Sequence, residues 1–76
     1  MLPPWIAFPQ LTQNSLGWSL GPGEYHRIAF RAWFVEMSPE AREAYERDNA
    51  EPQGWNGFYA RIKQASSRRQ ATRLAA

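Results

Sequence analysis

The sequence predicts an all-α fold: a small three-helix domain with an extended, aromatic- and proline-rich N-terminal arm packed over the central helix and a basic C-terminal helical extension. Three observations carry this prediction. The segment from Pro22 to Met37 is apolar over most of a helical circumference, Ser38-Pro39-Glu40 has the chemistry of a helix start, and Trp55, Phe58, Tyr59 and Ile62 recur at helical spacing. Asn56-Gly57 is a hairpin-type dipeptide, but no alternating apolar and polar residues flank it, so a β-hairpin is not expected.

Residues 1–21 are expected to form the arm. Pro3, Pro4 and Pro9 restrict φ and bias the residues before them towards extended backbone, with room for one helical turn. Trp5, Ile6, Phe8, Leu11, Leu16, Trp18 and Leu20 make the arm too apolar for a solvated linker. It has to pack on something.

The first helix is expected over 22–37. At 100° per residue its apolar side chains cover an arc of roughly 260°, far wider than the stripe of an ordinary surface helix. Tyr25, Ile28, Ala29, Ala32 and Trp33 form one side, and Phe30, Phe34 and Met37 extend it, leaving Glu24, Arg27 and Arg31 as the clear polar edge. Such a helix needs cover on more than one side. The second helix, over 38–49, is capped by Ser38, starts with Pro39 and carries Glu40 in its first turn. Only Ala41, Ala44 and Tyr45 form its apolar stripe, and Glu43–Arg47 and Arg42–Glu46 stand at ion-pair spacing, so it is an outer helix. The third is expected over 53–68, with Asn56 as a cap or Pro52 as an earlier start, and a basic tail follows over 69–76.

Seventy-six residues make a single domain, 1–76. With no cysteine and one histidine, neither a disulfide nor a structural zinc site is available as a staple. Four Trp, three Tyr and four Phe make the compensation aromatic; each ring can bury on the order of 150–250 Å². No apolar run reaches the roughly 18 residues of a membrane span. Met1 to Phe8 has neither the basic start nor the apolar run of a signal peptide, so a soluble, cytoplasmic protein that does not enter a membrane is expected.

Charge is strongly segregated. Residues 1–23 carry none, residues 24–60 hold all seven acids and four arginines, and residues 61–76 hold Arg61, Lys63, Arg68, Arg69 and Arg73 without an acid. At helical period Arg69 and Arg73 fall on the stripe occupied earlier by Phe58, Tyr59 and Ile62, so beyond Ser66 the core-facing side turns cationic. Those five bases are the candidate partner- or nucleic-acid-binding residues, by contact with an acidic protein surface or with phosphates; the bland reading is a solvated, fraying end. Trp5, Phe8 and Trp18 are candidate partner anchors if the arm is not internal cover.

Catalytic chemistry has little support. His26 lies inside the apolar arc without a nucleophile pattern beside it, and is expected to be a partly buried histidine with one hydrogen-bond partner. Glu36 is expected to pair with an arginine, Arg61 being the candidate, or to satisfy a helix end. Gly21-Pro22-Gly23 lacks the spacing of a dinucleotide fingerprint. The expected function is a small non-catalytic protein-interaction module, an adaptor, small subunit or inhibitor in a larger assembly, needing no cofactor or metal and open to self-association. The alternative is a nucleic-acid-binding protein that contacts phosphates through the basic C-terminal helix.

Overall fold

A computed structural model describes the backbone of residues 1–75 and the side chains of residues 1–66. It is all-helical, with four α-helices and one 3₁₀ turn among the described residues. The arm is less extended than its prolines suggest. Pro4 starts a single turn, α1 (Pro4–Ala7), closed by Phe8 N–H donating to the Pro4 carbonyl at 2.9 Å. A 3₁₀ turn, Leu16–Ser19, follows, with Ser15 Oγ accepting from Gly17 N–H at 3.1 Å.

The central helix is α2 (Gly21–Glu36), with Pro22 in its first turn, where a missing N–H costs nothing. Ser38 caps α3 (Pro39–Asp48), its Oγ accepting from Ala41 N–H at 3.2 Å. At the other end of α3 the Asn49 side chain donates to the Tyr45 carbonyl at 3.1 Å.

The last helix, α4 (Phe58–Ala75), begins later than position 53. Residues 52–57 are spent on turns, in which Trp55 N–H donates to the Pro52 carbonyl and Phe58 N–H to that of Trp55. Gly57, at φ 85°, supplies a left-handed conformation there that other residues rarely adopt. Neither Asn56 nor Pro52 starts the helix. The carboxylate of Glu51 does, accepting from Gly57 N–H at 3.0 Å through one oxygen and from Tyr59 N–H at 2.8 Å through the other. A negative group at the positive end of a helix is stabilising, and here it also satisfies two backbone donors.

The core lies between α2 and α4. Phe30, Phe34, Tyr59 and Ile62 are buried, with Trp33, Met37, Tyr45 and Phe58 packed around them. The arm folds back across the seam, and Trp5 meets Trp55, Phe58 and Tyr59 at ring-centroid distances of 5.4, 5.6 and 5.7 Å. Trp18 packs edge-on to Phe8 and to Trp55, and its indole N–H donates to the Thr12 carbonyl at 2.7 Å. Two hydrogen bonds moor the N-terminus: Tyr45 Oη–H donates to the Met1 carbonyl at 2.9 Å and His26 Nε2 to that of Leu2 at 3.0 Å.

Cover for α2 is nevertheless one-sided. Residues 25, 28, 29 and 32 are exposed, Tyr25 at 75% and Ile28 at 54%, so the all-round cover expected from the wide apolar arc is not supplied by the described residues.

Where α2 meets the 3₁₀ turn the backbones touch at Gly23, whose added Cβ would collide with the Gly17 carbonyl oxygen. Gly→Ala inside a helix ordinarily gains about 0.5–1 kcal/mol. Gly23→Ala is expected to do the opposite, lowering the midpoint of thermal unfolding followed by circular dichroism.

Two tyrosines, Tyr59 buried and Tyr45 partly buried, make stability depend on pH. Burial pushes Tyr45 up to about 12 from its ordinary 10.0, and burial pushes Tyr59 higher still, reinforced by the charges of Tyr45, Glu46 and Glu51. Tyr59 Oη–H donates to the Asn49 carbonyl at 2.7 Å, a bond that only the neutral phenol makes. The folded state therefore holds protons that the unfolded chain releases near pH 10. Their contribution to stability is whole below that pH and is lost as pH rises through about 12. Denaturant midpoints are expected to fall steeply above pH 10 and less steeply in Tyr59→Phe.

Candidate functional site

Between α2 and α4 runs a groove made of two adjoining hollows of about 530 and 320 Å³. Both are lined by Pro4, Arg27, Phe58 and Arg61. The larger continues to Gln13, Asn14, Trp18 and Trp55; the smaller to Phe30, Arg31, Ile62 and Ala65. The walls are thus cationic and amide-bearing over an apolar floor.

The guanidiniums are positioned by neutral groups. Arg27 Nε–H donates to the Trp18 carbonyl at 2.8 Å. Arg61 Nη1 donates to the Asn56 carbonyl at 3.4 Å; with the Gln13 amide turned to the orientation its neighbours demand, its oxygen accepts from Arg61 Nη2 and its nitrogen donates to the Gly54 carbonyl. Carbonyls orient a guanidinium without cancelling its charge. The described residues include every Asp and Glu of the chain, and none of these acids lines the groove. Arg27 and Arg31 stand at i and i+4 on α2, a like-charge spacing that slightly disfavours the helix.

Of the five bases expected as partner or nucleic-acid contacts, the two whose side chains are described diverge. Arg61 lines the groove, whereas Lys63 faces α3 and pairs with Glu46 at 2.9 Å. The side chains of Arg68, Arg69 and Arg73 lie outside the described residues. The arm's rings point inward: Trp18 is 6% exposed, and Trp5 and Phe8 are half-buried against other rings. His26 is half-buried between Phe8 and Phe30 with its one partner, the Leu2 carbonyl.

The expected pairing of Glu36 with Arg61 does not form. Glu36 is exposed at the last turn of α2, while Arg61 is engaged by neutral oxygens. Nor do the pairs spaced along α3 form. Arg42 donates to the Val35 carbonyl at 3.4 Å, Glu46 is taken by Lys63, and Glu43 and Arg47 make no ion pair among the described residues. A tertiary partner outcompetes a neighbour one turn away, whose worth is only a few tenths of a kcal/mol.

Arg27 and Arg31 were legible only as the polar edge of a helix; nothing local indicates that Arg61 would face them. The second surface is the outward face of α2. Tyr25, Ile28, Ala29 and Ala32 lie within an arc of roughly 100° opposite the buried Phe30 and Phe34. Leu16 and Leu20, on and just after the 3₁₀ turn, also face outward at 79% and 68% exposure.

Among the described residues no three His, Asp or Glu side chains are grouped to hold a metal ion, and no helix is long and apolar enough to cross a membrane. No family model, curated protein or solved structure matches this chain.

Lys63 and Glu46 are both partly exposed, so water screens the pair. Lys63→Gln is expected to change the unfolding free energy by less than about 1 kcal/mol, measured by urea denaturation.

Proposed function

We propose that this chain is a small non-catalytic protein-interaction module, an adaptor or small subunit that docks on a protein partner through the outward face of α2. The observation that carries this reading is the stripe of Tyr25, Ile28, Ala29 and Ala32, apolar at helical spacing and exposed to water. Single exposed apolar residues are ordinary, but an aligned set on one helix is what a docking helix presents to a groove or to another helix. Ala29 and Ala32 keep the centre of the stripe low enough for close approach, and Tyr25 and Ile28 supply the bulk. Tyrosine is also among the side chains that dominate binding energy at interfaces.

Catalysis finds no comparable support. The single histidine is held by a backbone carbonyl, and the hydroxyls of Tyr45 and Tyr59 are committed to backbone acceptors. General acid–base work needs a second positioned group within reach of the substrate.

A photo-crosslinking side chain at position 28 is expected to capture a single protein in the native cells, and one at exposed Glu40 to capture none. Ile28→Asp, scored with the crosslinker at position 25, should abolish capture and shift unfolding by no more than about 0.5 kcal/mol, as for other surface changes. Capture that survives Ile28→Asp, or is equally strong from position 40, would overturn the reading.

A further inference from the structure

The groove between α2 and α4 is separate from the outward face of α2, and its chemistry points to a different kind of contact. We propose that it binds a short acidic peptide segment of a partner protein, in which carboxylates flank a large apolar side chain. The inference rests on the interaction-module reading only in taking the occupant to be a protein.

Three guanidiniums, from Arg27, Arg31 and Arg61, edge the groove, and no carboxylate of the chain lines it. Their charge is available to a visitor. Two of the three are held in place beforehand by carbonyl and amide oxygens, so little side-chain freedom remains to be lost on binding. Arginine's planar fork suits carboxylates, which accept two parallel N–H bonds.

The floor selects further. Phe30, Phe58, Ile62 and Ala65 line the smaller hollow together with Pro4, an apolar surface that a bare anion would leave wet. An occupant that fills this hollow brings an apolar side chain as well as negative charge. The two hollows adjoin along the helix seam, which fits an extended segment better than a compact metabolite.

Two other occupants fit less well. Single-stranded nucleic acid would bring phosphates to the arginines, but it relies on open ring faces for stacking. Trp18 and Trp55 are only 6% and 7% exposed, their faces already engaged by other rings. A second copy of this chain would offer the acids of α3, yet the one large apolar side chain of that helix, Tyr45, is packed against its own core.

The experiment selects peptides from a displayed random library on the full-length protein and measures the enriched ones by fluorescence anisotropy. Enrichment of Asp and Glu around a large apolar residue is expected. Arg31→Glu should weaken those peptides by about tenfold or more, equivalent to about 1.4 kcal/mol, and Arg61→Gln should weaken them as well. Arg31 makes no hydrogen bond among the described residues, so its reversal reads binding even where Arg61→Gln perturbs the loop it contacts. Ile28→Asp should leave peptide affinity unchanged, which separates this site from the outward face of α2. No acidic enrichment, affinity indifferent to Arg31→Glu, or displacement of the peptide by a thymidine oligonucleotide would each overturn the proposal. Acidic-peptide binding would stand even if crosslinking from position 28 failed.

Discussion

Trp5 is the side chain on which the rest of the molecule converges. It belongs to a segment of prolines and small turns, yet its ring sits among Trp55, Phe58 and Tyr59, joining the arm, the loop before α4 and α4 itself. Helices of this size have little interior, and α3 adds only Tyr45 to it. Without a disulfide or metal the missing contact area has to come from somewhere, and the arm supplies it with aromatic rings. Tilted and edge-on geometry dominates among the ring pairs of the arm, the arrangement that the quadrupoles favour. The residue before Trp5, Pro4, lines the α2–α4 groove, so one turn of the arm contributes to both core and groove.

Electrostatics follow from the same packing. The acids that do structural work are Glu51, which holds the start of α4, and Glu46, which takes Lys63. Both act towards α4 from the α3 side of the molecule. The arginines of α2 and Arg61 lie across the seam and pair with neither carboxylate; Arg27 and Arg61 are oriented by backbone and amide oxygens instead. A fold that needed these charges neutralised would be expected to bring an acid to them. Their partial exposure makes that unnecessary, and it leaves a positive edge above an apolar floor.

What could be read from the sequence was local. Ser38-Pro39-Glu40 encodes its helix start within one turn, and the cap forms as expected. Helical period was enough to place Tyr59 and Ile62 on the face that becomes the core, whereas on α2 it gave an arc too wide to tell the packed side of Phe30 and Phe34 from the exposed one. The start of α4 was not readable, because its cap is a carboxylate from before the turn-forming glycines, reaching over a loop whose path no local rule specifies. Of the basic end, the two described side chains part company for a related reason. Arg61 and Lys63 are two residues apart, hence roughly 200° apart on a helix, and they meet different neighbours on either side. The wide apolar arc of α2 was visible, but periodicity registers only the demand for cover and not whether the chain meets it.

That distinction bears on the outward face of α2. The packed side of the helix is held by rings of α3 and α4, so Phe30 and Phe34 are constrained by stability. Tyr25 and Ile28 face water and take no part in that network, so burial among the described residues gives no reason for them to be apolar. An exposed helix position is served as well by Glu, Lys or Gln, which have good helix propensity and favour solubility. Apolar residues aligned where the described fold draws nothing from them are what the proposed contact with a partner would account for. Because the face stands apart from both core and groove, it can be altered without disturbing either.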